Sequence, residues 1–114
     1  MVEISKSAKV AKDAIIGHNT SIANGVKIKS GVIIGKDVLI GFNAVIGKNV
    51  QIGDRCIIMS GSHVGNNAII GKCNVIFADT YIGKGTILGN NVMVYRDANI
   101  RNGSVVENNA VVLV

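Results

Sequence analysis

The sequence predicts an all-β protein, a parallel β-helix with the outline of a triangular prism, three hexads per coil and a little over six coils. Three observations carry that reading. An aliphatic residue stands at every sixth position, a small residue stands two positions before it, and breaks in the outward pattern recur every eighteen residues.

The aliphatic column comes first. From Ile4 it runs through Val10, Ile16, Ile22 and Ile28 to Val106 and Val112, and all nineteen members are Ile, Val or Leu. A helix asks for a period near 3.6 and a simple strand for a period of 2, so a period of six is neither alone. A fixed period along a whole chain marks a repeat architecture. Two positions before each aliphatic stands Ala, Val, Thr, Ser or Cys, with Asn74 the one clear exception. Residues two apart on a strand share a side, so both columns point inward.

The turns come next. Three residues after each aliphatic, Asn, Asp or Gly fills fifteen of eighteen sites, and Ser7, Arg55 and Cys73 fall outside the rule. Those three residue types tolerate left-handed backbone angles, which places a corner there. Each hexad is thus a short strand plus a bend. One hexad cannot bury its own face, but coil stacked on coil buries a continuous core. The residue after the aliphatic sets the coil length. It is often Gly, but Met59, Phe77, Tyr95 and Leu113 interrupt it at eighteen-residue intervals, one outward column of a three-sided coil. At about 4.8 Å per stacked strand, the prism is roughly 30 Å long. Residues 1–114 form a single domain.

Composition narrows the function classes. The net charge of +5 suits phosphate-bearing ligands or an acidic partner. No basic run or aromatic pair is visible in the linear sequence, so nucleic acid is not expected as a partner. MVEISKSAKV has no apolar core of a signal segment, and no stretch approaches the length of a membrane span. Two cysteines make no disulfide framework, and the expected setting is the cytoplasm.

The pattern resembles the hexapeptide-repeat, or isoleucine-patch, superfamily along the whole chain. That resemblance implies a left-handed coil, where parallel connections are otherwise right-handed. It also implies an acyltransferase working as a homotrimer with sites between subunits. An acetyl or acyl group would pass from an acetyl-CoA or acyl-carrier thioester to an amine or hydroxyl of a sugar or sugar nucleotide. No tightly bound cofactor is implied. Other members resemble γ-class carbonic anhydrases or serve as the β-helical half of sugar nucleotidyltransferases, and fold does not decide among these.

The three outward faces differ. The first carries Leu39, Ile57, Met59, Phe77 and Tyr95, an apolar wall. The second carries Lys9, Lys27, Lys29, His63 and Tyr81. The third carries Ile15, Ile33, Gln51, Ile69 and Ile87 beside a column of glycines. Two apolar faces should not stay wet. In a three-fold ring the first face of one copy can meet the third face of the next, leaving the basic face to solvent. A helix or domain outside this chain is the competing cover.

Two histidines are candidates for chemistry. His18, in IIGHNTSI, sits two residues after Ile16 at the corner between the third and first faces. The resemblance implies a general base there, followed by Asn19 and Thr20, with Asn19 and Lys36 as cofactor-binding candidates. The same hexad also reads as an exposed polar turn. His63 is a second candidate, outward on the basic face beside Tyr81, where a packing pair is the competing reading. A carbonic anhydrase of this superfamily takes three histidines per site. Two histidines 45 residues apart on one chain cannot supply them, so no metal is expected. The Gly83–Gly85 pair belongs to the hexads and not to a phosphate loop. No loop interrupts the repeat, which keeps open a non-catalytic trimerisation module, a fragment of a longer enzyme, or a self-assembling prism.

Overall fold

A computed structural model describes residues 1–114 as nineteen two-residue strands, from Glu3–Ile4 to Val111–Val112, with no helix. They stack into three parallel sheets of seven, six and six strands. The first sheet runs from Glu3–Ile4 to Val111–Val112, the second from Lys9–Val10 to Asn99–Ile100, and the third from Ile15–Ile16 to Val105–Val106. Partners in the ladders are eighteen residues apart, as in Ile57↔Val75 and Val75↔Met93. The fold is a left-handed parallel β-helix, 33 × 21 × 19 Å, close to the length expected from strand spacing.

The two inward columns make one core of twenty-three residues, among them Ile34, Ile46, Ile58, Ile70 and Ile82. Branched side chains suit this packing, because their few rotamers leave little entropy to lose between coils. Burial fades toward both ends: Val10, Ile16, Val106 and Val112 are only partly covered, and Ile4 is 46% exposed.

Eleven non-glycine residues and five glycines adopt the left-handed turn conformation. Arg55 (φ 58°) and Cys73 (φ 60°) adopt it despite their residue type, so coil geometry overrides local preference there. Ser7 and Asp13 do not. Asp13 instead accepts hydrogen bonds from Ser30 Oγ at 2.9 Å and the Gly31 amide at 3.2 Å.

The exceptional Asn74 is fully buried. Its Nδ2 donates to the Gly89 carbonyl at 2.9 Å, and its Oδ1 accepts the Val92 amide at 2.7 Å. Thr20 repeats the arrangement three coils below, donating to Gly35 O at 2.8 Å and accepting from the Val38 amide at 3.2 Å. No buried side-chain polar atom lacks a partner. A second ladder binds the corners. Asp54, Asn66, Asn90, Asn102 and Asn108 each accept, through Oδ1, the amide of the residue one coil below, at 2.7–3.0 Å.

The outer glycines also have an internal cause. A Cβ on Gly53 would lie 2.8 Å from the Gly71 carbonyl carbon, so the coil spacing itself forbids one. Flatness of the third face is a by-product of that limit.

Candidate active site at the corner of the third and first sheets

His18 comes after the strand Ile15–Ile16 of the third sheet and before Ser21–Ile22 of the first. The Gly17-His18-Asn19 bend exists because Asn19 takes φ 61°, which turns the chain onto the next face. His18 is exposed, and the Met1 amino group sits against its ring nitrogens. Its carbonyl accepts the Asp37 amide at 2.9 Å, which sets Lys36 and Asp37 one coil above. The Asn19 amide donates to Met1 O at 2.7 Å. Thus His18, Asn19 and Lys36 share one corner in adjacent coils. The Lys36 side chain is exposed, and its amide is fixed by Asp54 Oδ1 at 3.0 Å.

Higher on the same corner, Arg55 and Cys73 stand one coil apart. The neighbouring Cys73 side chain does most to raise the Arg55 pKa, with smaller contributions from Asp54 and Asp37. Cys56 lies inside, where burial pushes its thiol pKa up, and its Sγ donates to Gly71 O at 3.0 Å. Both cysteines are free thiols, and no group of three or more His, Cys, Asp or Glu is placed to hold a metal ion.

His63 is elsewhere. It lies outward on the second sheet and stacks on Tyr81, ring centroids 5.2 Å apart and planes 26° apart. The two sequence-derived histidine candidates therefore belong to different faces and do not form one site.

The apolar wall expected on the first sheet divides in two. Its upper part is a ridge where Phe77 and Tyr95 stack with centroids 5.1 Å apart. Its lower part is a groove of about 660 Å³, floored by Ser21, Ala23, Leu39, Ile57 and Met59 and rimmed by Phe42, Ser60 and Ala78. The groove extends down to Glu3, Ile4 and Ser5, and its rim of Phe42, Ser60 and Ala78 lies at the corner of the first and second sheets, across the first sheet from His18. Phe42 was not anticipated as a rim. The available signal was its place two residues after Ile40, a corner column otherwise made of Lys6, Asn24, Ser60, Ala78, Arg96 and Val114.

The three stacked sheets define a β-helical domain built from hexapeptide repeats. The model of the GMPPB C-terminal domain matches residues 24–113, and the chain belongs to that family. Comparison with curated proteins finds no match. Among solved structures, the chain is similar to the acetyltransferase domain of PglB from Neisseria gonorrhoeae FA1090, at 22% identity and TM-score 0.84, over 96% of this chain and 55% of that one. The same domain in complex with acetyl coenzyme A aligns at 23% identity and TM-score 0.82, with the same coverage. The UDP-N-acetylglucosamine acyltransferase from Campylobacter jejuni aligns at 22% identity and TM-score 0.63, over 88% of this chain and 53% of that one. At these identities the likeness shows the fold. The chain spans about half the length of each of these relatives.

Proposed function

We propose that this β-helix is an acyltransferase-type domain that moves an acetyl or acyl group from a coenzyme A or acyl-carrier thioester to an amine or hydroxyl of a sugar or sugar nucleotide. One observation carries the reading: the exposed His18 shares the corner of the third and first sheets with Asn19 and, one coil above, the exposed Lys36, at the edge of the sheet whose outer face holds the apolar groove. The structural relatives named as acetyl- and acyltransferases support it.

In this reading the acceptor hydroxyl or amine gives its proton to a His18 ring nitrogen while its oxygen or nitrogen attacks the thioester carbonyl. The tetrahedral adduct collapses, the carbon–sulfur bond breaks, and the departing thiolate recovers the proton from His18. No covalent enzyme intermediate is needed. Asn19 and Lys36 would steady the thioester carrier, with the Lys36 ammonium facing its phosphates. Free cysteines suit a cytoplasmic setting.

A homotrimer is part of the proposal. The third sheet exposes Ile15, Ile33, Ile69 and Ile87, an apolar stripe matching the groove and ridge of the first sheet. Joining these two faces around a three-fold axis would close the His18 corner with a neighbour's surface. A monomer in light scattering at micromolar concentration overturns the trimer. A second reading has one observation behind it. The nineteen strands run with no inserted loop, and the matched family is that of a C-terminal domain, so the prism could serve assembly alone. Calorimetric titration with acetyl-CoA, beside a His18→Ala variant assayed for thiol release, separates the two. Binding with loss of turnover in the variant supports transfer, and no binding at millimolar ligand supports the assembly module.

A further inference from the structure

The second sheet has a chemistry that acyl transfer does not use. Of the twelve lysines and arginines, nine lie on this sheet or on the two corners that flank it, against three of the seven acidic residues. The sheet's own outward positions hold no acidic residue at all. Charge is therefore segregated onto one face, beyond what an evenly solvated surface requires.

The order along that face matters more than the total. One outward column reads Lys9, Lys27, Val45, His63, Tyr81 from the bottom upward, each residue paired with the next in register. Lys29 stands beside Lys27, two residues on. The basic half and the stacked aromatic half are thus separated by one short side chain. The half-buried Val45 is shorter than the exposed Lys27 and the exposed His63 on either side of it, so the column dips there. Those two residues are two strand spacings apart, roughly 9.6 Å. A planar ring in van der Waals contact with a group on each side spans roughly 7–8 Å. One ring fits, stacked under the imidazole and covered by the aliphatic stem of Lys27.

We infer that this face binds a nucleoside diphosphate, its base seated over Val45 against His63 and its phosphates met by Lys27 and Lys29. Tyr81 backs the imidazole from the other side and holds its plane. The residues belong to the face that the proposed trimer leaves in solvent, and none belongs to the His18 corner. The dip is shallow, so affinity is expected at a dissociation constant on the order of 0.1–1 mM.

The test is a chemical-shift titration of the labelled whole chain with GDP and with ADP, up to about 10 mM. Shifts centred on Lys27, Val45 and His63 are expected with either base. His63→Ala should weaken binding about tenfold, since base–aromatic stacking carries that much, while His63→Phe should retain it. Lys27→Gln with Lys29→Gln should also weaken it and remove most of its salt dependence. Thermal melts confirm that each variant is folded. No saturable shift, shifts centred on the His18 corner, or equal binding of inorganic pyrophosphate would overturn the inference. So would a single-stranded oligonucleotide that binds while the mononucleotides do not. Because the readout is binding at the second sheet, it is independent of whether acetyl-CoA binds or turns over.

Discussion

Replacing Asn74 by Ala removes two hydrogen bonds whose backbone partners remain buried. The Gly89 carbonyl loses its donor at 2.9 Å, and the Val92 amide loses its acceptor at 2.7 Å. An orphaned buried polar group costs roughly 1–3 kcal/mol, so the pair costs about 2–5 kcal/mol once partial relaxation is allowed. For a domain of this size each kcal/mol moves the melting temperature by roughly 4–8 °C, so a drop of at least about 8 °C is expected by circular dichroism. The protein carries its own control. Thr20 occupies the same inward column three coils below and makes the same donor-and-acceptor pair with Gly35 and Val38. Asn74→Thr should therefore recover most of the loss, although its hydroxyl is shorter than the amide it replaces. Urea unfolding gives the free energies directly. If Asn74→Ala lies within about 0.5 kcal/mol of wild type, or Asn74→Thr is no better than Ala, the buried ladder is not a source of stability.

Three further expectations concern the shell. Gly65→Ala would put a Cβ 2.7 Å from the Lys84 amide nitrogen, which should cost about 1–3 kcal/mol in a melt, whereas at Gly85 nothing lies within 4 Å and only its φ of 67° opposes alanine, for about 1–2 kcal/mol. Asp13 has its pKa lowered from 3.8 by Ser30 first and then Gly31, so its contribution is present above 3.8 and lost as the pH falls through the folded value; Asp13→Asn should flatten that part of a stability–pH curve. In native protein at neutral pH a thiol reagent should modify half-buried Cys73 and spare Cys56, which is enclosed and has its pKa raised by burial; equal labelling rates would mean the coil opens at Cys56.

The inward positions were legible because one physical demand repeats at every coil. Ile, Val and Leu at every sixth residue can only be satisfied by stacking, and the eighteen-residue recurrence of Met59, Phe77 and Tyr95 fixed the triangle that the ladders show. Asn74 was visible as an exception but not as a solution, since its carbonyl partner lies fifteen residues away on the next coil. Arg55 and Cys73 were misfits by type, yet they turn like their neighbours because eighteen-residue stacking leaves the corner no other path. The corner asparagine ladder was legible in principle at Asp54, Asn66, Asn90, Asn102 and Asn108, but its acceptors serve amides one coil below, a relation no local window contains. At the site, counting hexads was enough to put His18 at a corner. The groove on the first sheet was not legible, because its rim at Phe42 lies at the opposite corner and does not break the repeat.

The repeat constrains what faces inward and at the turns, and it leaves the outward strand position nearly free. Any side chain can stand there without disturbing the core, so function in such a prism is written in outward columns read along the axis. Each column is one-dimensional: its meaning lies in the residues stacked at intervals of eighteen, as in Lys27, Val45, His63 and Tyr81, and not in any contiguous motif. Chemistry at a corner differs, because a corner residue such as His18 faces two sheets at once and can be enclosed by a second surface without losing its own support. Under the two proposals the tasks separate by face, with apolar faces for association, a corner for proton transfer and a charged face for an anionic ligand. Substituting His63 should then alter ligand binding on the charged face and leave thiol release at the His18 corner intact, which is the independence that the two variants measure.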